Sequence, residues 1–137
     1  MTEQTIPESV TRGVIPYLNV EGASEASDFY QRAFGAKELR RLPAEDGKRL
    51  MHCHLEINGG SLMLSDCFPE HGYEHQPSNS FTMQLVVSDI DSWWARAVEA
   101  GCQVATPLQL MFWGDRWGSL KDPFGVNWAM NEAAKAA

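Results

Sequence analysis

The feature that most constrains this chain is one order of elements written twice. Gly13 to Val20 (GVIPYLNV) predicts a strand, in which Pro16 points to an edge or a bulge. Ala26, Phe29, Tyr30, Ala33 and Phe34 follow at the i, i+3, i+4, i+7, i+8 spacing of a helix with one apolar face. Ser24 is the expected N-cap and Gly35 the stop. Lys37 to Leu42, Arg49 to Ile57 and Ser61 to Ser65 predict three strands, turned at Asp46-Gly47 and Asn58-Gly59-Gly60. Phe81 to Val87 restarts the series. Ile90, Trp93, Trp94, Ala97 and Val98 form a second helical stripe between Asp89 as N-cap and Gly101 as stop, and this stripe is expected to anchor its half. Gln103 to Leu110, Arg116 to Lys121 and Val126 to Asn131 supply three more strands. Val20 matches Val87, Gly35 matches Gly101, Gly47 matches Gly114, and Leu62 and Leu64 match Trp128 and Met130. The offset is about 64 to 67 residues and drifts across loops, the mark of a duplicated unit.

The chain between the halves, Cys67 to Asn79, is polar and holds Pro69, Gly72 and Pro77. It reads as a linker or a mobile loop over a site. The expected organisation is one domain over 12–132, made of modules 12–66 and 80–132 joined by 67–79. Met1 to Thr11 reads as a loose arm.

Charge and composition exclude several classes. The 137 residues carry a formal net charge of −7, which disfavours nucleic acid and anionic membrane as partners. No apolar run approaches the ~20 residues of a membrane span. Met1 to Ser9 lacks a basic, apolar signal pattern. Cys53, Cys67 and Cys102 are odd in number and without CxxC spacing, so reduced thiols in a cytoplasmic protein are expected.

The densest stretch is Trp113 to Met130. Gly114-Asp115 and Asp122-Pro123-Phe124-Gly125 read as tight turns around a short strand. PYLNV…DFYQRAFGA, then LMLSD, then FWGDRWGSLKDPFGVNWAM resembles the vicinal oxygen chelate superfamily of glyoxalase I, bleomycin- and fosfomycin-resistance proteins and extradiol dioxygenases. It looks most like the PhnB-like branch. The resemblance runs from about Gly13 to Met130, with WGDRWG followed by DPFG its most specific part. It implies an α+β fold of two βαβββ modules whose curled mixed sheets enclose a cavity, with helices outside. It also implies a homodimer.

Strand alternation then assigns a cavity face. Leu18, Val20, Cys53, Leu55, Ile57, Leu62 and Leu64 suit the helix side. Tyr17, His52, His54 and Glu56 are left for the cavity, and in the second half Gln84, Trp117, Lys121 and Asn127. Trp113 belongs to the rim before its turn. Arg116 and Lys121 are the cations suited to an anionic group. The expected ligand site lies between His52/His54 and Trp113/Trp117. Its ligand-binding set is Tyr17, Gln84, Trp113, Arg116, Trp117, Lys121 and Asn127. His52 and His54 are candidate general bases that Glu56 orients.

The resemblance also implies four metal positions, which fall on Ile15, Met63, Thr82 and Ala129. None is His, Glu or Asp, so no metal and no other cofactor is expected. His52 and His54 are the one local pair with metal-like spacing, on a single strand. The expected function is small-molecule binding without the family's metal. The rivals are a metal-dependent lyase or dioxygenase of glyoxalase type, a resistance protein that sequesters a drug, and a regulatory module with a vestigial cavity.

Overall fold

Parallel pairing of the first and last strand organises each half. In the unit ending at Gln76, β1 (Tyr17–Val20) runs parallel to β4 (Gly60–Asp66), with Tyr17 opposite Met63 and Asn19 opposite Ser65. Helix α1 (Ala23–Phe34) follows β1, then β2 (Lys37–Pro43) and β3 (Leu50–Ile57), in the sheet order β1-β4-β3-β2. In the unit beginning at Pro77, β5 (Met83–Val86) runs parallel to β8 (Asn127–Glu132). Helix α2 (Ile90–Ala100), β6 (Gln103–Leu110) and β7 (Arg116–Lys121) complete the order β5-β8-β7-β6. The remaining strand pairs are antiparallel. The computed structural model describes residues 5–135. Among them are two open, four-stranded mixed sheets, each with one α-helix, in the α+β class that the repeat implies.

The first strands are shorter than expected, and the residues before Tyr17 lie outside β1. Pro16 keeps contact through its carbonyl, which accepts a hydrogen bond from Met63 N–H at 3.0 Å. The expected loose arm is instead structured where it is described. Glu8–Val10 forms a 3-10 turn and Val10 is buried. Residues 1–4 of that arm lie outside the described residues.

Helix α1 buries Ala26, Phe29, Tyr30, Ala33 and Phe34, the stripe read from the sequence, and with them Ala23 and Ser27. Its cap differs from expectation. Ser24 sits inside the helix, and Gly22 is the N-cap, at φ 93°, a left-handed conformation that glycine adopts without strain. The capping carboxylate comes from β4. Asp66 Oδ1 accepts Gly22 N–H at 2.8 Å and Ala23 N–H at 3.0 Å, and Oδ2 accepts Leu50 N–H at 2.7 Å. One buried side chain thus ties the helix start to two strands.

Helix α2 departs from its expected role. Only Ile90 and Ala97 are buried; Trp93 and Trp94 are half-buried, and Val98 is exposed. Trp94 still meets the sheet. A Cβ on Gly118 of β7 would stand 2.6 Å from its ring, so the glycine makes room for the indole. Asp89 holds the N-cap position but makes no side-chain cap bond. Ile90 N–H instead reaches Glu132 Oε1 at 3.4 Å.

The DPFG turn works through its aspartate. Asp122 Oδ1 accepts Phe124 N–H at 2.8 Å and Val126 N–H at 3.0 Å, and Oδ2 accepts the buried Trp128 indole at 2.9 Å. The motif therefore locks the β7–β8 corner and seats the largest core side chain of that unit.

Candidate functional site

The open face of the first sheet presents Tyr17 and Asn19 from β1 and Ser65 from β4 in one register. Asn19 Nδ2 donates to Ser65 Oγ at 2.9 Å. At the near end of β3 the pairing with β2 slips: His52 faces Leu42 while Leu50 faces Pro43. Met51 is the extra residue of this bulge, and the slip turns Leu50 inward and leaves Met51 exposed. Strand alternation alone places Met51 on the helix side; the bulge moves it to the cavity.

Two loops raise walls over this floor. One is the β2–β3 turn at Ala44 to Asp46. The other follows β4. Phe68 and Tyr73 exchange backbone hydrogen bonds at 2.8 and 3.0 Å, around a turn that starts at Pro69 and closes at Gly72. The sequence predicts a linker or a mobile loop over a site across 67–79; in the structure Phe68 to Tyr73 form a bridged turn within the first unit. Arg49 clamps it. Its guanidinium donates to Asp46 Oδ2 at 2.7 Å, to Glu70 Oε1 at 3.0 Å and to the Cys67 carbonyl at 3.3 Å, and lies 4.4 Å from the centre of the Phe68 ring. The Arg49 hydrogen bonds hold the Glu70 carboxyl down at about 2. Floor and walls enclose a cavity of about 840 Å³.

Tyr17 is the one residue of the expected ligand set that lines this cavity. Its hydroxyl lies 2.9 Å from His52 Nδ1, and the rings are 5.6 Å apart. Burial, with the Arg40 charge, lowers the His52 pKa, so the ring is neutral at neutral pH and its nitrogens can accept or donate a proton. His54 shares the face but not the opening. It is 1 % exposed, with Nε2 2.7 Å from Ser61 Oγ, which itself donates to the Val10 carbonyl. The carbonyl only accepts, so the Ser61 proton points there and His54 Nε2 carries the ring proton. The buried Val10 is thus tied through Ser61 to His54, which is itself buried, against the expectation that it faces an open cavity. Glu56 is half-buried, opposite Ser61 and Lys37 in register.

In the second unit, Gln84, Trp117, Lys121 and Asn127 do share the sheet face away from α2, as alternation predicts. Asn127 Nδ2 donates to Asn79 at 3.1 Å. Trp113 lies in the β6–β7 turn, half exposed and edge-on to Phe112 at 4.8 Å. Arg116 does not join them. It shares the helix side with Gly118 and Leu120 and is bidentate to Asp91 of α2 at 2.8 and 2.9 Å. Its guanidinium is held by a carboxylate at the helix start.

Sequence reasoning misses Arg49, Met51, Phe68 and Tyr73. Phe68 and Tyr73 carry a usable signal, since two aromatic residues inside an otherwise polar stretch suggest a buried or binding role. Met51 carries none, because a bulge is not legible from alternation.

The four positions implied for a metal hold an aliphatic chain, a thioether, a hydroxyl and a methyl group. This donor set does not fit a divalent ion. Met63 sits between Tyr17 and His54 in register, and Ala129 between Gln84 and Ser119. Among the described residues no three His, Cys, Asp or Glu side chains converge as ligands.

A profile of the glyoxalase/bleomycin resistance protein/dioxygenase superfamily matches residues 11–130. The uncharacterized protein Rv0887c of Mycobacterium tuberculosis is 39% identical, over 96% of this chain and 80% of its own length. The crystal structure of PA1353 from Pseudomonas aeruginosa is 28% identical with a TM-score of 0.73, covering 89% of this chain and 98% of that one. The PhnB protein from Bacillus cereus has a TM-score of 0.72 at 20% identity, over 89% of this chain and 100% of its own, a likeness of fold. Among the described residues no helix is long and apolar enough to cross a membrane.

Proposed function

We propose, from the premise that this chain belongs to the glyoxalase/bleomycin resistance protein/dioxygenase superfamily, that it is a PhnB-like small-molecule-binding protein working without the family's metal. The observation that carries this reading is the cavity of about 840 Å³ on the open face of the first sheet. It brings three aromatic rings and a thioether together with polar side chains, most of them fixed by hydrogen bonds, a concave mixed surface suited to a small molecule. The donor chemistry at Ile15, Met63, Thr82 and Ala129 supports binding over metal-dependent lyase or dioxygenase chemistry. Sequestration of a drug is a special case of this reading that uses the same cavity, with an antibiotic as the ligand.

A thermal-shift screen of metabolites and antibiotics tests this. A ligand at a hundred times its Kd stabilises by about 2.7 kcal/mol, a readable shift. Hits whose shift disappears in Tyr17→Ala and Tyr73→Ala support the site. Hits indifferent to both variants place binding elsewhere.

The same reading includes a cytoplasmic homodimer. Leu110, Phe112 and Trp113, at the end of the edge strand β6 and beyond it, are strongly exposed, Phe112 at 96 %. An apolar edge of this kind is stable in water when a second copy covers it. Light scattering at micromolar concentration checks it, and a monomer counts against it.

A further inference from the structure

The cavity of the first module also has a charge pattern, which selects among ligands provided that the binding reading above holds. Four carboxylates, of Glu45, Asp46, Asp66 and Glu70, line it against one guanidinium, that of Arg49, and one imidazole, that of His71. Arg49 is already committed. Nε serves Asp46, Nη1 serves Glu70 and the Cys67 carbonyl, Nη2 serves Glu70 again, and the Phe68 ring lies over its carbon. An incoming anion meets a guanidinium whose charge is matched by two carboxylates and that keeps one N–H of Nη2 to offer. Asp66 is equally committed, to three backbone N–H groups. Glu45 has no hydrogen bond or ion pair among the described residues and sits exposed on the wall. Tyr17 and Tyr73 also line the cavity, and the face of an aromatic ring attracts cations and not anions.

We propose that this cavity takes an organic cation with a planar aromatic body, an aryl amine or a quaternary ammonium, its ring against Tyr17 and Tyr73 and its charge toward Glu45.

Three probes that share one ring system test it: 1-naphthylmethyl-trimethylammonium, 1-naphthalenemethanol and 1-naphthoate, titrated by calorimetry at low and at moderate salt. The cation should bind about tenfold or more tighter than the anion, with the alcohol between, and salt should narrow the gap. Glu45→Gln should weaken the cation about threefold and leave the alcohol unchanged. Tyr73→Ala and Tyr17→Ala should weaken all three. Equal affinities, or a preference for naphthoate, in a site still sensitive to the tyrosines overturn the charge class and leave the binding site standing. No binding of any probe, or binding indifferent to both tyrosines, overturns the charge class and the site together.

Discussion

The two modules share a topology and divide the chemistry. All four histidines and all three tyrosines belong to the first, and all five tryptophans to the second. The helices differ in the same spirit. Small residues in α1 let Phe29, Tyr30 and Phe34 go fully under cover, while α2 presents Trp93 and Trp94 half-buried. The capping carboxylate is strong in one copy and weak in the other. Asp66 makes three bonds of 2.7–3.0 Å, and Glu132, at the end of β8, makes one of 3.4 Å. Duplication preserves strand order, which backbone hydrogen bonding dictates. Side chains that close a core or line a cavity are free to diverge. The first copy invests in a sealed helix and a walled cavity; the second keeps its apolar surface at an edge.

The hardest test of this contrast is truncation of the helices. Phe34→Ala removes a fully buried ring and should cost about 3–5 kcal/mol in urea unfolding. Trp94→Ala, at a half-buried site, should cost only about 1–2 kcal/mol despite the larger side chain. Equal losses break the comparison. Tryptophan fluorescence follows the second module alone and far-UV circular dichroism follows both, so a separation of the two curves shows independent unfolding.

Next comes the cap. Asp66→Ala leaves three backbone N–H groups without their acceptor, two of them on residues that are themselves buried, at a cost of about 2–4 kcal/mol. Glu132→Ala gives up one long contact and should stay within about 0.5 kcal/mol of the parent. If the two variants unfold at the same midpoint, the capping carboxylates are equivalent after all.

Gly118 sharpens the picture within the second module. Gly118→Ala pushes a methyl against the Trp94 ring and the Leu108 backbone, at about 1–3 kcal/mol. In a Trp94→Ala background the penalty should shrink without vanishing, because the Leu108 Cα remains 3.0 Å away. Full additivity of the two changes means that Trp94 does not lie over this glycine.

These same contacts explain which parts of the molecule are legible in its residues. The repeat, the α1 stripe and the DPFG corner are legible because periodicity and turn chemistry are local. The capping of α1 by Asp66 is not, since its partners lie far apart in sequence. Alternation puts Tyr17 and His52 on one face, and Gln84 and Trp117 on another, as pleating requires and as the register has them. It fails at Met51, where a bulge resets the period; Arg116, expected in the ligand-binding set for its charge, has the parity of Leu120, so alternation itself marks it as a helix-side residue. The cavity walls escape a reading by residue type, because a polar, proline-bearing stretch looks the same whether it is a linker or a turn clamped by one arginine.

The smallest effect is a pH dependence that only the first module should show. Burial lowers the His54 pKa, and the His52 and Arg40 charges add to it; burial and Arg40 lower that of His52. In the unfolded chain both rings titrate near the ordinary value of about 6.5. Between the folded and unfolded values the unfolded chain binds more protons, so stability rises with pH through that window. It is fully present above about 6.5 and is lost as pH falls toward the folded values, before the carboxylates titrate. The Tm of the parent should therefore drop by a few degrees from neutral to mildly acid pH. His54→Gln, which keeps a donor for Ser61, should flatten part of this slope, and the His52→Gln, His54→Gln double variant most of it. Near-ultraviolet signals of the tryptophans in the native state should stay constant over the same range. A slope that persists in the double variant assigns the pH dependence to groups other than this pair.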